Sequence, residues 1–128
     1  CGVHLRRRAQ DGGLDARLER LRIANDLPLA LERAALSAEV LPDPASVDGS
    51  LYEALARSGH RPVRAVQRIS ACNIRGQDAA LLGVQAGDAG LSIERISYLA
   101  SGRVVEFTRS LYRADAYDFV AELTLPQS

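Results

Sequence analysis

Cysteine, methionine, tryptophan and lysine are the residues that this sequence lacks or nearly lacks. It contains two cysteines, Cys1 and Cys72, and no methionine, tryptophan or lysine. A disulfide-stabilised scaffold uses more cysteines at closer spacing, so we expect two free thiols in a reducing cytoplasm. Because the chain lacks Met and opens abruptly at Cys1, we also expect it to be a piece of a longer protein.

An excess of charge and long apolar runs are absent as well. The 16 basic residues, all of them arginine, balance 16 acidic residues, and the formal net charge is +0. A DNA-binding domain normally carries a basic excess on one face, which this composition does not show. No apolar run approaches the roughly 20 residues that span a bilayer, and no signal peptide is visible. We therefore expect a cytoplasmic protein without a membrane partner.

The remaining composition is that of an ordinary globular protein. The chain has 128 residues, of which 47% are hydrophobic and 25% are charged. This length is close to that of a typical single domain with one core, so we predict one domain over residues 1–128. His4 and His60 have no cysteine or acidic partner at metal-ligand spacing, and no nucleophile-plus-base motif occurs. The sequence therefore predicts no metal, no cofactor and no catalytic residue.

The hydrophobic pattern predicts an α+β fold, an antiparallel sheet with helices packed on one side of it. Alternating segments indicate two β-hairpins, which turn near residues 25–28 and 100–103, and a further strand within 61–74. Helices are predicted over 50–59 and 77–82. The last alternating stretch, 117–125, predicts a final strand.

The two predicted hairpins resemble each other. Each begins with a Glu-Arg pair and returns with a strand that carries a glutamate. The residues concerned are Glu19, Arg20 and Glu32 in the first hairpin and Glu94, Arg95 and Glu106 in the second. We predict that the hairpins face one another across a pseudo-twofold axis and leave a cleft between them.

Arg20 and Arg22 are two residues apart on a predicted strand, so their side chains share a face. Two guanidinium groups in one cleft are costly unless an anion meets them. Glu32 and Glu106 can serve as internal partners, or they can accept hydrogen bonds from hydroxyl or amino groups of a ligand. The alternative is a surface ladder of Arg–Glu pairs, each contributing less than about 1 kcal/mol.

The even-numbered and odd-numbered residues of the segment 103–119 form two sets, which point to opposite faces of the predicted strand. We call each set a parity. One parity contains Val104, Glu106, Thr108, Ser110 and Tyr112. We predict that this polar parity lines the cleft and is partly buried, and that the opposite, apolar parity packs against the helices. Arg113 and Asp115 are predicted to form a structural pair, and Arg95 to be structural beside the acidic loop 87–90.

Three stretches together resemble a known family. They are "ERLRIANDLPLALERAALSAEVLP", "SLYEALARSGHRPVRA" and "LLGVQAGDAGLSIERISYLASGRVVEFTRSLYRADAYDF". In order and spacing they are similar to the UTRA effector-binding domain of GntR-type transcription factors of the HutC branch, over roughly residues 17–123. The opening segment 1–13 fits the family's first strand and helix only loosely.

The resemblance implies a chorismate lyase-like fold, a homodimer and a small anionic effector, either a sugar phosphate or a carboxylate. It also implies an N-terminal winged helix-turn-helix domain, absent from this chain, through which alone DNA is contacted. The ligand-binding positions that it implies are Arg20, Arg22, Glu32, Ser50, Tyr52, Glu106 and Tyr112. Ser50 can equally cap its helix, and Tyr52 can equally pack in the core.

The function expected from this resemblance is ligand sensing and dimerisation in a bacterial transcriptional regulator, without enzymatic activity. Two alternatives stay open. One is a chorismate lyase-like enzyme, since arginine pairs and a glutamate suit an anionic substrate. The other is a pure oligomerisation module in which Arg–Glu pairs close the cleft.

Overall fold

Five antiparallel strands and two short helices make up the part of the chain that the computed structural model describes, residues 14, 16–37, 51–118 and 120–126. The strands are β1 (Ala16–Ala24), β2 (Leu27–Leu36), β3 (Arg64–Asn73), β4 (Ala89–Tyr98) and β5 (Val104–Arg113). The helices are α1 (Leu51–Arg57), before β3, and α2 (Gly76–Leu82), between β3 and β4. A 3-10 turn, Ala114–Ala116, follows β5.

Both predicted hairpins are confirmed. β1 and β2 are joined by Asn25 and Asp26, whose φ angles are 51° and 63°. Two left-handed residues in succession give the tight turn that suits the twist of a hairpin, and Asn and Asp tolerate this conformation best after glycine. β4 and β5 are joined by a longer turn, in which the Leu99 amide donates to the Arg103 carbonyl at 2.9 Å.

The two hairpins lie side by side in one sheet. The strand order is β1-β2-β5-β4-β3, so the second strands of the two hairpins pair with each other. Arg33 of β2 lies directly opposite Arg109 of β5. The two hairpins pair through β2 and β5 within one sheet. The prediction that they face each other across a cleft is therefore wrong.

The two helices pack on opposite faces of the sheet, not on one side as the sequence pattern suggested. On the first face, Leu51 and Leu55 of α1 pack in a cluster with Leu36 of β2. On the second, Leu82 of α2 packs in a cluster with Leu31 of β2. Leu31 and Leu36 have opposite parity, so their side chains point to opposite faces. We call these the α1 face and the α2 face.

The prediction of a final strand over 117–125 is wrong for the described residues. Residues 117–118 and 120–126 have no regular secondary structure, and Val120, Leu123 and Leu125 are exposed. An alternating pattern indicates a strand but does not supply a neighbour with which it can pair.

Cys72 on β3 is disulfide-bonded, and no cysteine among the described residues is free. The expectation of a free thiol at this position is therefore wrong. Within the described ranges, no helix has the length and apolar character needed to cross a membrane.

Candidate functional site

The α1 face carries a row of polar and charged side chains across the four strands of the two hairpins. Arg20 of β1 lies opposite Glu32 of β2, and Glu32 lies opposite Ser110 of β5. Arg95 of β4 lies opposite Thr108. Directly opposed residues in an antiparallel pair share a face, so these side chains point to the same side as α1.

Arg20, Arg22 and Glu32 form the first group in this row. Arg20 Nε donates to Glu32 Oε1 at 3.0 Å. Arg22 Nη1 lies 3.8 Å from Glu32 Oε2. The Arg20 and Glu32 side chains are only 17% and 13% exposed, whereas Arg22 is 50% exposed. One carboxylate thus holds two guanidinium groups side by side, and the outer one remains open to solvent.

Glu106 and Arg95 form the second group. Arg95 Nε donates to Glu106 Oε1 at 3.1 Å, and Arg95 Nη2 donates to Oε2 at 2.8 Å. Ser97 Oγ donates to Oε1 at 2.6 Å, and Thr108 Oγ1 donates to Oε2 at 2.7 Å. Glu106 is 2% exposed. Four donors therefore satisfy a buried carboxylate, as burial of a charge requires.

Electrostatics link the two groups. The hydrogen bond from Arg95 to Glu106 raises the pKa of Arg95. The charges of Glu106 and Glu32 raise this pKa further, whereas burial lowers it. Burial raises the pKa of Tyr112 above its ordinary value. Glu32 raises that pKa further, while Arg22 and Arg95 lower it. Tyr112 therefore lies within electrostatic reach of both groups.

A cavity of about 440 Å³ opens beside the second group. Arg95 and Glu106 line it from the sheet, Tyr52 and Leu55 line it from α1, and Arg64 lines it from the start of β3. This volume lies within the range of small-molecule sites, and the wall combines apolar surface with a few charged groups.

Tyr52 lines the cavity and does not pack in the core. Its side chain is 43% exposed, and its hydroxyl accepts a hydrogen bond from Arg61 Nε at 2.6 Å. The Arg61 guanidinium also lies 5.7 Å from the centre of the Tyr52 ring. Ser50, the other position predicted near the start of this helix, lies outside the described residues.

Five of the seven predicted ligand positions thus lie on one face of the sheet. They are Arg20, Arg22, Glu32, Glu106 and Tyr112. The prediction that the polar parity of β5 is partly buried is confirmed, because Glu106, Thr108 and Ser110 are 2%, 4% and 7% exposed and Tyr112 is half-buried.

Sequence reasoning misplaced Arg95. The prediction places it beside the acidic loop 87–90, but Arg95 lies opposite Thr108 and binds Glu106 at the cavity wall. The register of the second hairpin could have located it, because a turn near 100–103 brings Arg95 and Glu106 onto facing strands. Ser97, which also holds Glu106, could have been located in the same way.

The α2 face carries the other half of each Glu-Arg pair. Glu19 accepts from Arg33 Nε at 3.1 Å, and Glu94 pairs with Arg109. Asp78 of α2 lies 3.4 Å from Arg33 Nη2. The repeated Glu-Arg motif therefore serves both faces, since its glutamate binds arginine on one side and its arginine binds glutamate on the other.

The predicted Arg113–Asp115 pair is confirmed. Arg113 Nη2 lies 2.8 Å from Asp115 Oδ2, and Arg113 Nε lies 3.1 Å from Oδ1. The hydrogen bond from Arg113 lowers the pKa of Asp115. No group of three His, Cys, Asp or Glu residues that could hold a metal ion occurs in the described parts of the chain.

Two solved structures that are similar to this chain belong to transcriptional regulators. A GntR-family regulator from Enterococcus faecalis V583 superposes with a TM-score of 0.75 at 32% identity, covering 84% of this chain and 79% of that chain. The effector domain of PhnF from Mycobacterium smegmatis superposes with a TM-score of 0.78 at 29% identity, covering 85% and 69%. The fold is thus that of a GntR effector-binding domain, which is chorismate lyase-like.

Residues 8–118 match the UTRA domain, and the chain belongs to this family. The HTH-type transcriptional repressor NagR of Bacillus subtilis is 33% identical over 107 residues. That alignment covers 81% of this chain and 44% of NagR, so the chain spans less than half the length of this relative.

Proposed function

We propose that this chain is the ligand-sensing and dimerisation domain of a cytoplasmic bacterial regulator of the GntR/HutC type. In this proposal residues 1–128 form one domain, which follows a winged helix-turn-helix domain in the complete protein. A small anionic effector binds on the α1 face, and only the winged domain contacts DNA. The effector shifts the regulator between two arrangements by the difference in its affinity for them.

The observation that carries this proposal is the paired placement of Arg20 and Arg22 beside one carboxylate. Arg22 lies 3.8 Å from Glu32 and keeps half of its side chain exposed. A planar guanidinium fork binds phosphate or carboxylate oxygens bidentately. An incoming anion can therefore bind Arg22 without first breaking the shorter Arg20–Glu32 contact.

The charge balance of the α1 face also favours an anion. Three guanidinium groups, those of Arg20, Arg22 and Arg95, face two carboxylates, those of Glu32 and Glu106. One positive charge is thus in excess on this part of the face. Tyr112 adds a hydroxyl donor, since a tyrosine is protonated at neutral pH and burial raises the pKa of this one further.

The two glutamates suit different roles in this proposal. Glu106 already accepts four hydrogen bonds, so we assign to it the positioning of Arg95 at the cavity wall. The contacts described above join Glu32 only to the two arginines of β1, Arg20 and Arg22. We therefore assign to Glu32 the acceptance of hydroxyl or amino hydrogens of the effector.

A thermal shift series on the 128-residue chain tests this function. The ligands are sugar phosphates, alkylphosphonates and small carboxylates, with inorganic phosphate and the uncharged sugars as controls. At a hundred times its dissociation constant a true ligand stabilises the fold by about 2.7 kcal/mol, a shift of several degrees for a domain of this size. We expect one anionic class to give this shift and the uncharged sugars to give none.

Failure of every anion to shift the transition would contradict the sensor function and favour the pure oligomerisation module. The specific reason to keep that alternative is that Glu106 and Arg95 satisfy each other without a ligand. Incubation with chorismate followed by product analysis separates the enzyme alternative, since turnover would contradict a purely sensory role.

A further inference from the structure

The cavity of about 440 Å³ on the α1 face has mainly apolar side chains in its wall. Five of its nine lining residues are apolar or aromatic, namely Tyr52, Leu55, Pro62, Val63 and Ala65. Val63 and Tyr52 are 65% and 43% exposed, so apolar atoms at this wall are open to a ligand. A concave site of this composition suits a ligand whose body is apolar.

The polar side chains of this wall have little capacity left to accept hydrogen bonds. Among the described residues that line the cavity, Glu106 is the only one with a carboxylate or a side-chain amide. Four hydrogen bonds from Arg95, Ser97 and Thr108 already fill the acceptor positions of that carboxylate. Arg64 and Arg95, the other charged residues of the wall, have no acceptor atoms in their side chains.

This wall favours an apolar ligand body over a polyhydroxylated one. A sugar hydroxyl that leaves water for the cavity needs an acceptor for its hydrogen, and an unmet hydrogen bond weakens binding about fivefold or more. An apolar body loses no hydrogen bonds, and each methylene that it buries strengthens binding by up to about fourfold. Both effects act in the same direction when two ligands of equal charge and carbon number are compared.

One ligand can reach both the cavity and the arginine pair of the proposed function. Glu32, which binds that pair, lies opposite Ser110 on β5, four residues along the strand from Glu106. At about 3.4 Å per residue and one strand spacing, the backbones at Glu32 and Glu106 are about 14 Å apart. Arg95 connects the two regions, because it lines the cavity and lies within electrostatic reach of Glu32.

We infer that the effector is an amphiphilic anion with a phosphate or carboxylate head and an apolar body. The head binds Arg20 and Arg22, the anion site of the proposed function, on which this inference therefore rests. The body lies in the cavity, against the exposed side chains of Tyr52 and Val63. The hydrogens that Glu32 accepts then belong to the head, and sugar phosphates are not the preferred class.

Two ligand series test the class of the body. Isothermal titration calorimetry gives the dissociation constants of methyl, butyl and hexyl phosphate for the 128-residue chain, with glucose 6-phosphate as the polar ester of equal carbon number. Acetate, butyrate and hexanoate, with gluconate as their polar counterpart, test a carboxylate head in the same way. We expect affinity to rise with chain length in one series, and its longest member to bind at least tenfold more tightly than the polar counterpart.

Hexanol is the control for the head, because it has the apolar body without the negative charge. We expect it to bind at least tenfold more weakly than the preferred anion of the same chain length, since charge-assisted hydrogen bonds to the arginines are lost. Equal binding of hexanol and that anion would overturn the inferred head.

Val63→Thr tests the position of the body. The change keeps the branched shape of the side chain but replaces a methyl group at the cavity wall with a hydroxyl. We expect it to weaken binding of the longest member of the preferred series about threefold or more. Val66→Thr is the matched control, because Val66 is also exposed but lies opposite Ile96, on the face away from Arg95. We expect this control to leave the affinity unchanged.

The possible outcomes separate this inference from the proposed function. Glucose 6-phosphate or gluconate binding as tightly as its apolar counterpart would overturn the inference and leave an anionic effector in place. Equal effects of Val63→Thr and Val66→Thr in folded protein would overturn the placement of the body in this cavity. Binding of no anion from either series would remove the effector from the proposed function, and this inference with it.

Discussion

Glu32 and Glu106 have the same side chain and lie on the same face, yet their surroundings give them different chemistry. Glu106 lies on a central strand beneath Arg95, with Ser97 and Thr108 on either side, and every acceptor position of its carboxylate is used. Glu32 lies one strand nearer the edge of the sheet and receives only the two arginines of β1. Glu106 is therefore held by the fold itself, whereas the proposed function assigns contact with the effector to Glu32.

Replacing Glu106 with Gln tests this difference. The amide loses the ion pair to Arg95 and points a donor at neighbours that are themselves donors. We expect the free energy of unfolding to fall by about 2–3 kcal/mol, somewhat less than for a fully buried pair because Arg95 is 39% exposed.

Glu19→Gln is the matched control for that change. Glu19 also pairs with an arginine, Arg33, but its side chain is 58% exposed. We expect a loss below about 1 kcal/mol. Urea denaturation of both variants supplies the comparison, and equal losses would show that Glu106 is not held as described.

The pKa of Tyr112 depends on the charged groups of the same face. Its pKa is raised from 10.0, first by burial and then by Glu32, while Arg22 lowers it. We expect a titration followed by tyrosinate absorbance, and assigned with Tyr112→Phe, to show this phenol ionising later than an ordinary tyrosine. Glu32→Gln is expected to move the pKa of Tyr112 down, and Arg22→Gln is expected to move it up.

The raised pKa of Tyr112 also predicts how the free energy of unfolding depends on pH. Because the folded-state pKa of Tyr112 lies above the unfolded value, its contribution is complete below about pH 10 and is lost as the pH rises through the folded pKa. We expect Tyr112→Phe to remove that part of the alkaline loss of stability. A shift of the same sign in both Glu32→Gln and Arg22→Gln would contradict the placement of these groups around Tyr112.

At the scale of elements, the hairpins were predictable because their signals are local. The turn residues at 25–28 and 100–103 and the alternation on either side determine strand, turn and strand without knowledge of the rest of the chain. The placement of the helices was not predictable in this way. β2 buries residues of both parities, such as Leu31 and Leu36, so its pattern does not say which face is covered.

The turn between β1 and β2 offers a test at this scale. Asp26 has a φ of 63°, a conformation that β-branched residues strongly disfavour. We expect Asp26→Val to lower the free energy of unfolding by about 1–2 kcal/mol. Asp26→Gly removes the same carboxylate without steric cost, so we expect a change within about 0.5 kcal/mol. Equal effects in thermal denaturation would show that the left-handed turn is not the cause.

At the scale of the whole molecule, the shared face of the arginine pair was predictable from the sequence, whereas the order of the strands that carry the candidate site was not. The spacing of Arg20 and Arg22 already implied a shared face, the repeated hairpin added Glu32 and Glu106 as partners, and the resemblance to the UTRA family added Tyr112 as a ligand position. What the sequence did not reveal is that β2 and β5 pair directly, since partner strands far apart in the chain leave no local signal. The repeated Glu-Arg motif was the only indication of this pairing.

The segment 117–125 shows the same limit from the other side. Its alternation predicts a strand, but a strand needs a neighbour, and no described strand pairs with residues 117–118 or 120–125. An alternating pattern in one chain therefore indicates a strand without showing what that strand would pair with.

Binding of an anion to Arg20 and Arg22 is the event on which the sensory function depends, and calorimetry measures it directly. The anion with the largest thermal shift is titrated into the unaltered chain, into the Arg20→Gln/Arg22→Gln variant and into an Arg17→Gln/Arg57→Gln control. The control loses the same charge from exposed positions, Arg17 among them on the opposite face of β1. Denaturation curves confirm that all three proteins are folded before titration.

We predict that the Arg20→Gln/Arg22→Gln variant binds the anion about 100-fold or more weakly, since each charge-assisted hydrogen bond contributes about 1.5–3 kcal/mol. The control is predicted to bind within about twofold of the unaltered chain, because exposed charges away from the site contribute little. Equal affinity in all three folded proteins would contradict an anion site at these two arginines.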